Sequence, residues 1–147
     1  MTPIAHLMTP EPVTIRSIAL VAEASRLMVT RGLRHLPVVD DEGRLVGIVS
    51  DRDLRGPLIG DDRPTRPSRP APTASIGGLM TRDVQTARPE ESLGAVARRI
   101  VDRRVGAMPI VDESGRLVGI VSYMDVLRRL AEDAEHDARA IELMDVG

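Results

Sequence analysis

Two short stretches of this chain carry side chains suited to chemistry. They are Ser50-Asp-Arg-Asp53 and Ser122-Tyr-Met-Asp125, each arriving directly from Gly-Arg-Leu-Val-Gly-Ile-Val. A serine at a helix start with an acid three residues later forms a capping box, in which each side chain satisfies an orphan backbone N–H of the other. The same place suits a ligand. A helix start offers free N–H groups and partial positive charge, a natural seat for a phosphate. A carboxylate on the first turn can also accept both hydrogens of a ribose diol. A capping box more commonly uses the longer Glu, yet Asp stands at both sites, so the cap and the ligand site both remain open here.

Other chemistries find less support. The chain has no cysteine, which excludes disulfides, thiolate metal sites and Cys nucleophiles. His6, His35 and His136 lack metal-ligand spacing. Asp53 and Asp125 each have a task on their own helix rather than forming a glycosidase pair. The expectation is a protein that is not an enzyme, with no catalytic residue and no metal.

The elements that must position these residues occur twice. Gly43–Ser50 and Gly115–Ser122 are identical, and Leu7–Leu54 aligns without a gap on Leu79–Val126, with roughly 20 of 48 positions shared. Thr14 maps onto Thr86, Pro37 onto Pro109 and Asp40 onto Asp112. In the first copy, prolines 3, 10 and 12 allow only a short turn near Ala5–Met8 and an extended segment over Pro12–Ile15. A helix follows over 18–29, with Ser17 as its expected N-cap and Gly32 as its stop. Leu36–Asp40 and Arg44–Val49 read as a hairpin, and Ser50 opens the next helix. Each copy therefore reads strand–helix–strand–strand–helix, an α/β (α+β) fold of two β-α-β-β-α units related by pseudo-twofold symmetry. In the second copy the last helix runs on from Ser122 along Val126, Leu127, Leu130, Ala131 and Ala134.

The organisation expected is a first unit over 1–56, a linker over 57–78, a second unit over 79–131 and a helical tail over 132–147. The linker alternates five prolines with Arg63, Arg66 and Arg69, and reads as an extended, mobile spacer without a role in binding. At 42% hydrophobic and 29% charged, with net charge −2, the chain is soluble in type and has no global pull toward nucleic acid. Tyr123 is the one aromatic residue, which removes the stacking platform of a single-strand binder. No apolar run reaches the ~18 residues of a membrane span and no leader pattern opens the chain. A cytoplasmic location without membrane contact is expected.

The pattern Leu-Met-Thr…Arg-His-Leu-Pro-Val-Val-Asp…Gly-Arg-Leu-Val-Gly-Ile-Val-Ser-Asp-Arg-Asp-Leu, seen twice, resembles a tandem pair of CBS (cystathionine β-synthase-type) domains, or Bateman module. The likeness covers most of the chain and is nearest to small stand-alone CBS proteins of the acetoin-utilisation type. It implies a regulatory module that takes AMP, ADP, ATP, or else S-adenosylmethionine or NAD, between its units. It assigns Asp53 and Asp125 to ribose, Ser50 and Ser122 to phosphate, and Thr14 and Thr86 to the border of the base. Arg34, His35 and Leu36 in one unit, and Gly106, Ala107 and Met108 in the other, would face the ligand.

The two sites implied are unequal. Arg34 and His35, with Arg52 and Arg55, offer cationic donors where the other copy has Gly106, Ala107, Met124 and Leu127. The polyphosphate is therefore expected with Asp53. The resemblance also implies a homodimer through helices within Ala19–Met28 and Leu93–Ile100, and an unknown protein partner that reads the ligand. The alternative is a ligand-free interaction module whose Ser and Asp pairs act as caps alone.

Overall fold

The computed structural model describes residues 1–55 and 70–144. The Pro/Arg-rich part of the linker, including Arg63, Arg66 and Arg69, lies outside the described residues. In chain order a 3-10 turn at Ile4–His6 leads to β1 (Thr9–Pro10), β2 (Ile15–Arg16), α1 (Val21–Arg31), β3 (His35–Val39), β4 (Leu45–Ser50) and α2 (Asp51–Arg55). A second 3-10 turn, Ile76–Gly78, precedes α3 (Leu93–Arg103), β5 (Ala107–Val111), β6 (Leu117–Ser122) and α4 (Tyr123–Met144).

Each unit is built as its sequence pattern requires. In the first, β2 runs parallel to β3 through the α1 crossover, and β3 turns back antiparallel into β4. The turn is closed by Asp40, whose Oδ1 accepts the N–H groups of Glu42 and Arg44, while Gly43 supplies φ 78°. These donors, the Arg44 N–H foremost, hold the Asp40 carboxyl below its ordinary pKa. The second unit repeats the hairpin with Asp112 and Gly115. β3 begins two residues ahead of Pro37, which is tolerated because β2 pairs only with Val38 and Val39.

What joins the units is an exchange of their leading segments. Ile4, from the start of the chain, is fully buried among Val96, Ile100, Met108 and Val121 of the second unit. Ile76 is fully buried among Ala24, Met28, Leu36 and Val49 of the first. β1 adds to the second unit's sheet, pairing with β6, and Thr81 bridges in the same manner to Ile48 of β4. Met8 and Met80 then lie across Gly119 and Gly47. A Cβ on Gly47 would stand 2.6 Å from the Met80 sulfur and 3.0 Å from the Thr81 carbonyl. Glycine is needed at that crossing because of close approach, not because of backbone angle.

This exchange corrects two local expectations. Residues 76–78 are a 3-10 turn anchored by the buried Ile76 rather than extended linker. Ser17 is not the N-cap of α1, which starts later, after Leu20 and without a side-chain cap. Its first free N–H groups, on Val21 and Ala22, donate instead to the Ala74 and Pro72 carbonyls at the end of the linker. At α3 the Thr2 carbonyl takes the Leu93 N–H, and Ser92 accepts from the Ala95 N–H.

The hairpin tips also meet. Leu45 N–H donates to the Gly115 carbonyl and Leu117 N–H to the Gly43 carbonyl, both at 3.0 Å. Ile76→Ala removes a side chain that fills the other unit's half of the sequence repeat. It should cost about 2–5 kcal/mol in urea unfolding, in one transition that melts both units together. A loss below about 1 kcal/mol, or two separate transitions, would contradict the exchanged core.

Candidate functional site

Both Ser-x-x-Asp pairs sit where an antiparallel strand hands over to a helix. Ser50 N–H donates to Asp53 Oδ2 at 2.9 Å, and Asp53 N–H returns to Ser50 Oγ at 3.2 Å. The second copy matches at 2.8 and 3.2 Å. The capping box is thus real at both helix starts. It uses one oxygen of each carboxylate, and an ionised carboxylate has about four acceptor positions, so Oδ1 keeps acceptor positions for a ligand, with Arg128 Nη1 standing 3.6 Å from Asp125 Oδ1. The next N–H of each helix donates to the facing strand: Asp51 to the Arg34 carbonyl and Tyr123 to the Gly106 carbonyl. These bonds fix the segment ahead of β3 beside the start of α2, and the segment ahead of β5 beside the start of α4.

A cleft of about 400 Å³ opens between the units, a size that suits a small organic ligand. One wall is the second unit: Ser122 and Asp125 from the α4 start, with Ala107, Ile120 and Met124. The opposite wall is Gly32–His35 of the first unit, and the edge is the N-terminal segment Thr9, Glu11, Pro12 and Val13. Arg34 is exposed, and the Asp125 side chain is 25% exposed. A cation from one unit therefore faces a helix start and carboxylate from the other.

The sequence model of the CBS domain matches residues 4–60 and again 76–132. The chain belongs to the CBS domain family. Among curated relatives, homoserine O-acetyltransferase of Methanococcoides burtonii is 36% identical over 127 residues, which are 86% of this chain and 24% of that protein. The chain spans about a quarter of the length of the first curated relatives it matches. Solved structures agree on the fold. The CBS domain pair of protein MJ0100, in complex with 5′-methylthioadenosine and S-adenosyl-L-methionine, superposes with TM-score 0.75 at 28% identity, over 90% of this chain and 98% of that one. An acetoin utilization protein (AcuB) from Vibrio cholerae gives 0.77 at 27%, over 95% and 97%. The cytosolic domain of the Mg²⁺ channel MgtE, in complex with ATP, gives 0.70 at 33%, over 86% and 48%.

Within this CBS pair the residues singled out from sequence do not all share one place. Arg34, His35, Ala107, Ser122 and Asp125 come together in the one cleft. Arg34, set with Asp53 in the sequence expectation, lines this cleft together with Asp125, while its carbonyl still accepts the Asp51 N–H at the start of α2. Ser50 and Asp53, with exposed Arg52, belong to the corresponding helix start of the first unit and do not line that cleft. Leu36 and Met108 point away, fully buried in the two cores. In a strand alternate residues face opposite sides, so the residue after His35 or Ala107 must turn inward. Thr14 is exposed and outside the cleft, with its neighbours Pro12 and Val13 on the rim. Thr86 lines a separate depression of about 180 Å³, and its carbonyl accepts from Arg99.

Glu11 went unrecognised in the sequence. It holds φ 46° between two prolines, and it places an acid on the edge of the cleft that Arg34 also lines. His35 stands between the two helix starts. Its ring packs against Gly106, where a Cβ would meet Nε2 at 2.8 Å, while its field comes from Asp51 and Asp53. Burial lowers its pKa, Asp51 and Asp53 oppose that, and Arg34 adds to the lowering. The imidazole is therefore neutral at pH 7. Because the folded pKa lies below the unfolded one, the unfolded chain binds the proton more readily, and stability falls as pH drops through the unfolded value of ~6.5. An NMR titration should place the His35 midpoint below the ordinary 6.5, and His35→Gln should flatten the stability loss on that side. A midpoint above 6.5 would show that the carboxylates outweigh burial.

Described helices include none long and apolar enough to cross a membrane, and no group of three or more potential metal ligands occurs among the described residues.

Proposed function

We propose that this CBS pair is a non-catalytic, cytoplasmic regulatory module that binds an adenine nucleotide in the Arg34–Asp125 cleft. The observation that carries this is the meeting of complementary groups from different units. Asp125, already oriented by the Ser122 N–H, presents Oδ1 for a ribose diol. The α4 start supplies partial positive charge, and Arg34 supplies a full charge for phosphate. Aliphatic groups of Val13, Leu33 and Ile120 flank the base in place of aromatic ones. The ligands held by the solved relatives, S-adenosyl-L-methionine, 5′-methylthioadenosine and ATP, support an adenosyl group.

A nucleotide so held bridges the two units at the helix-start end of their strands, whereas the hairpin tips are already joined at the other end. Occupancy then biases the angle between the units, and with it the direction of α4, which begins at the cleft. A protein partner reads that change. The module works as a homodimer through exposed flanks of α1 and α3, where Val29 and Val101 are 83% and 71% exposed at equivalent positions of the repeat. A second reading, an interaction module without ligand, draws on the capping boxes being complete in themselves.

Calorimetric titration with ATP and AMP separates the two. Asp125→Ala should weaken binding about 10- to 150-fold, the ~1.5–3 kcal/mol of two hydrogen bonds to a charged acceptor. Asp53→Ala should leave that event nearly unchanged, and raised salt should weaken it through Arg34. If both carboxylates only cap, each variant loses about 1 kcal/mol of stability and neither alters any heat of binding. ATP and AMP binding Asp125→Ala as tightly as the parent protein would refute the assignment.

A further inference from the structure

The C-terminal helix is larger than the fold needs. α4 has 22 residues, and every one from Ala131 to Met144 is exposed. The exposed stretch 131–144, taken alone, is of a length that is marginal in water, and a helix exposed all round should be polar all round. This one is not. Leu127, Ala131, Ala134, Ala138 and Ile141 recur at alternate spacings of four and three, the period of a coiled-coil seam. The seam's middle is alanine throughout, which permits two helices to approach closely.

The charges beside the seam select both the occupant and its direction. In a parallel pair of α4 helices, Asp137 of one copy would oppose Glu142 of the other, a like-charge contact made twice. In an antiparallel pair, Arg128 opposes Glu135 of the other copy, an attractive contact made twice. Within its own chain Arg128 comes no nearer to Asp125 than 3.6 Å and is 66% exposed. The antiparallel register also sets Leu127 against Ala138 and Ala131 against Ala134, so large faces small and small faces small. It further brings Ile141 of the second copy to Met124, which lines the nucleotide cleft. We infer that α4 pairs antiparallel with α4 of a second copy of this chain along the Leu127–Ile141 seam. This rests on the dimeric part of the function proposed above and not on nucleotide binding.

The absence of native cysteine makes a direct test simple. Glu132→Cys and Leu143→Cys, each nitroxide-labelled in the full chain, report label-to-label distances by pulsed electron paramagnetic resonance, alongside light scattering. The antiparallel seam centres between residues 132 and 133, so the Glu132→Cys labels should lie within roughly 20 Å of each other. The Leu143→Cys labels should stand about 30 Å or more apart, from the 1.5 Å rise per residue. Adding Ala134→Glu to Glu132→Cys, at an exposed position outside both cores, should abolish the short distance while the two units still unfold together in one transition. Short distances at both positions would mean a parallel pair and overturn the proposal. No short distance at Glu132→Cys in a protein that scatters as a dimer would overturn the tail pairing alone. A monomer would overturn both the pairing and the dimer.

Discussion

The exchange of the two leading isoleucines holds this structure together. Ile4 and Ile76 each sit in the core of the unit that the other one precedes in sequence. A unit of some fifty residues without Phe or Trp has few large side chains to bury, and small domains are marginal for that reason. Borrowing an isoleucine, a methionine and a short stretch of backbone from its neighbour completes each core and satisfies the N-terminal N–H groups of each first helix. The units are therefore halves of one fold rather than beads on a linker.

That dependence is what creates the cleft. Because the chain's first segment belongs to the second unit's sheet, Thr9–Val13 must return across the interface to reach β2, and it forms the rim on the way. The closed capping boxes hold Asp53 and Asp125 each in one orientation at the start of its helix. The repeat then supplies similar scaffolds with different side chains. Arg34 and His35 stand where Gly106 and Ala107 stand in the other copy, and the fold assigns Arg34 to the cleft of the opposite unit's carboxylate.

His35 shows how burial changes a residue's chemistry. Its position at the end of a strand suggested a phosphate donor, but packing against Gly106 desolvates the ring and favours the neutral form. Burial thus withdraws His35 as a cationic donor and leaves the exposed Arg34 beside it on the same wall of the cleft.

The helix–strand–strand–helix order, the hairpins with Gly43 and Gly115 in their turns, and both capping boxes were legible in the sequence, since each depends on contacts between residues a few positions apart. The repeat also made the family legible. Which side chains share a cleft was not. Leu36 and Met108 turned inward through strand alternation, whose phase depends on which sheet face is covered. Ser17 lost its capping role to the carbonyls of Pro72 and Ala74, more than fifty residues away in the chain. Arg34 came to line a cleft with Asp125 of the other unit because the units face each other across their strand ends. Local hydrogen bonding and hydrophobic period are written in neighbouring residues, whereas the pairing of distant surfaces depends on how two nearly identical units bury each other's leading segments, and only the tertiary structure decides that.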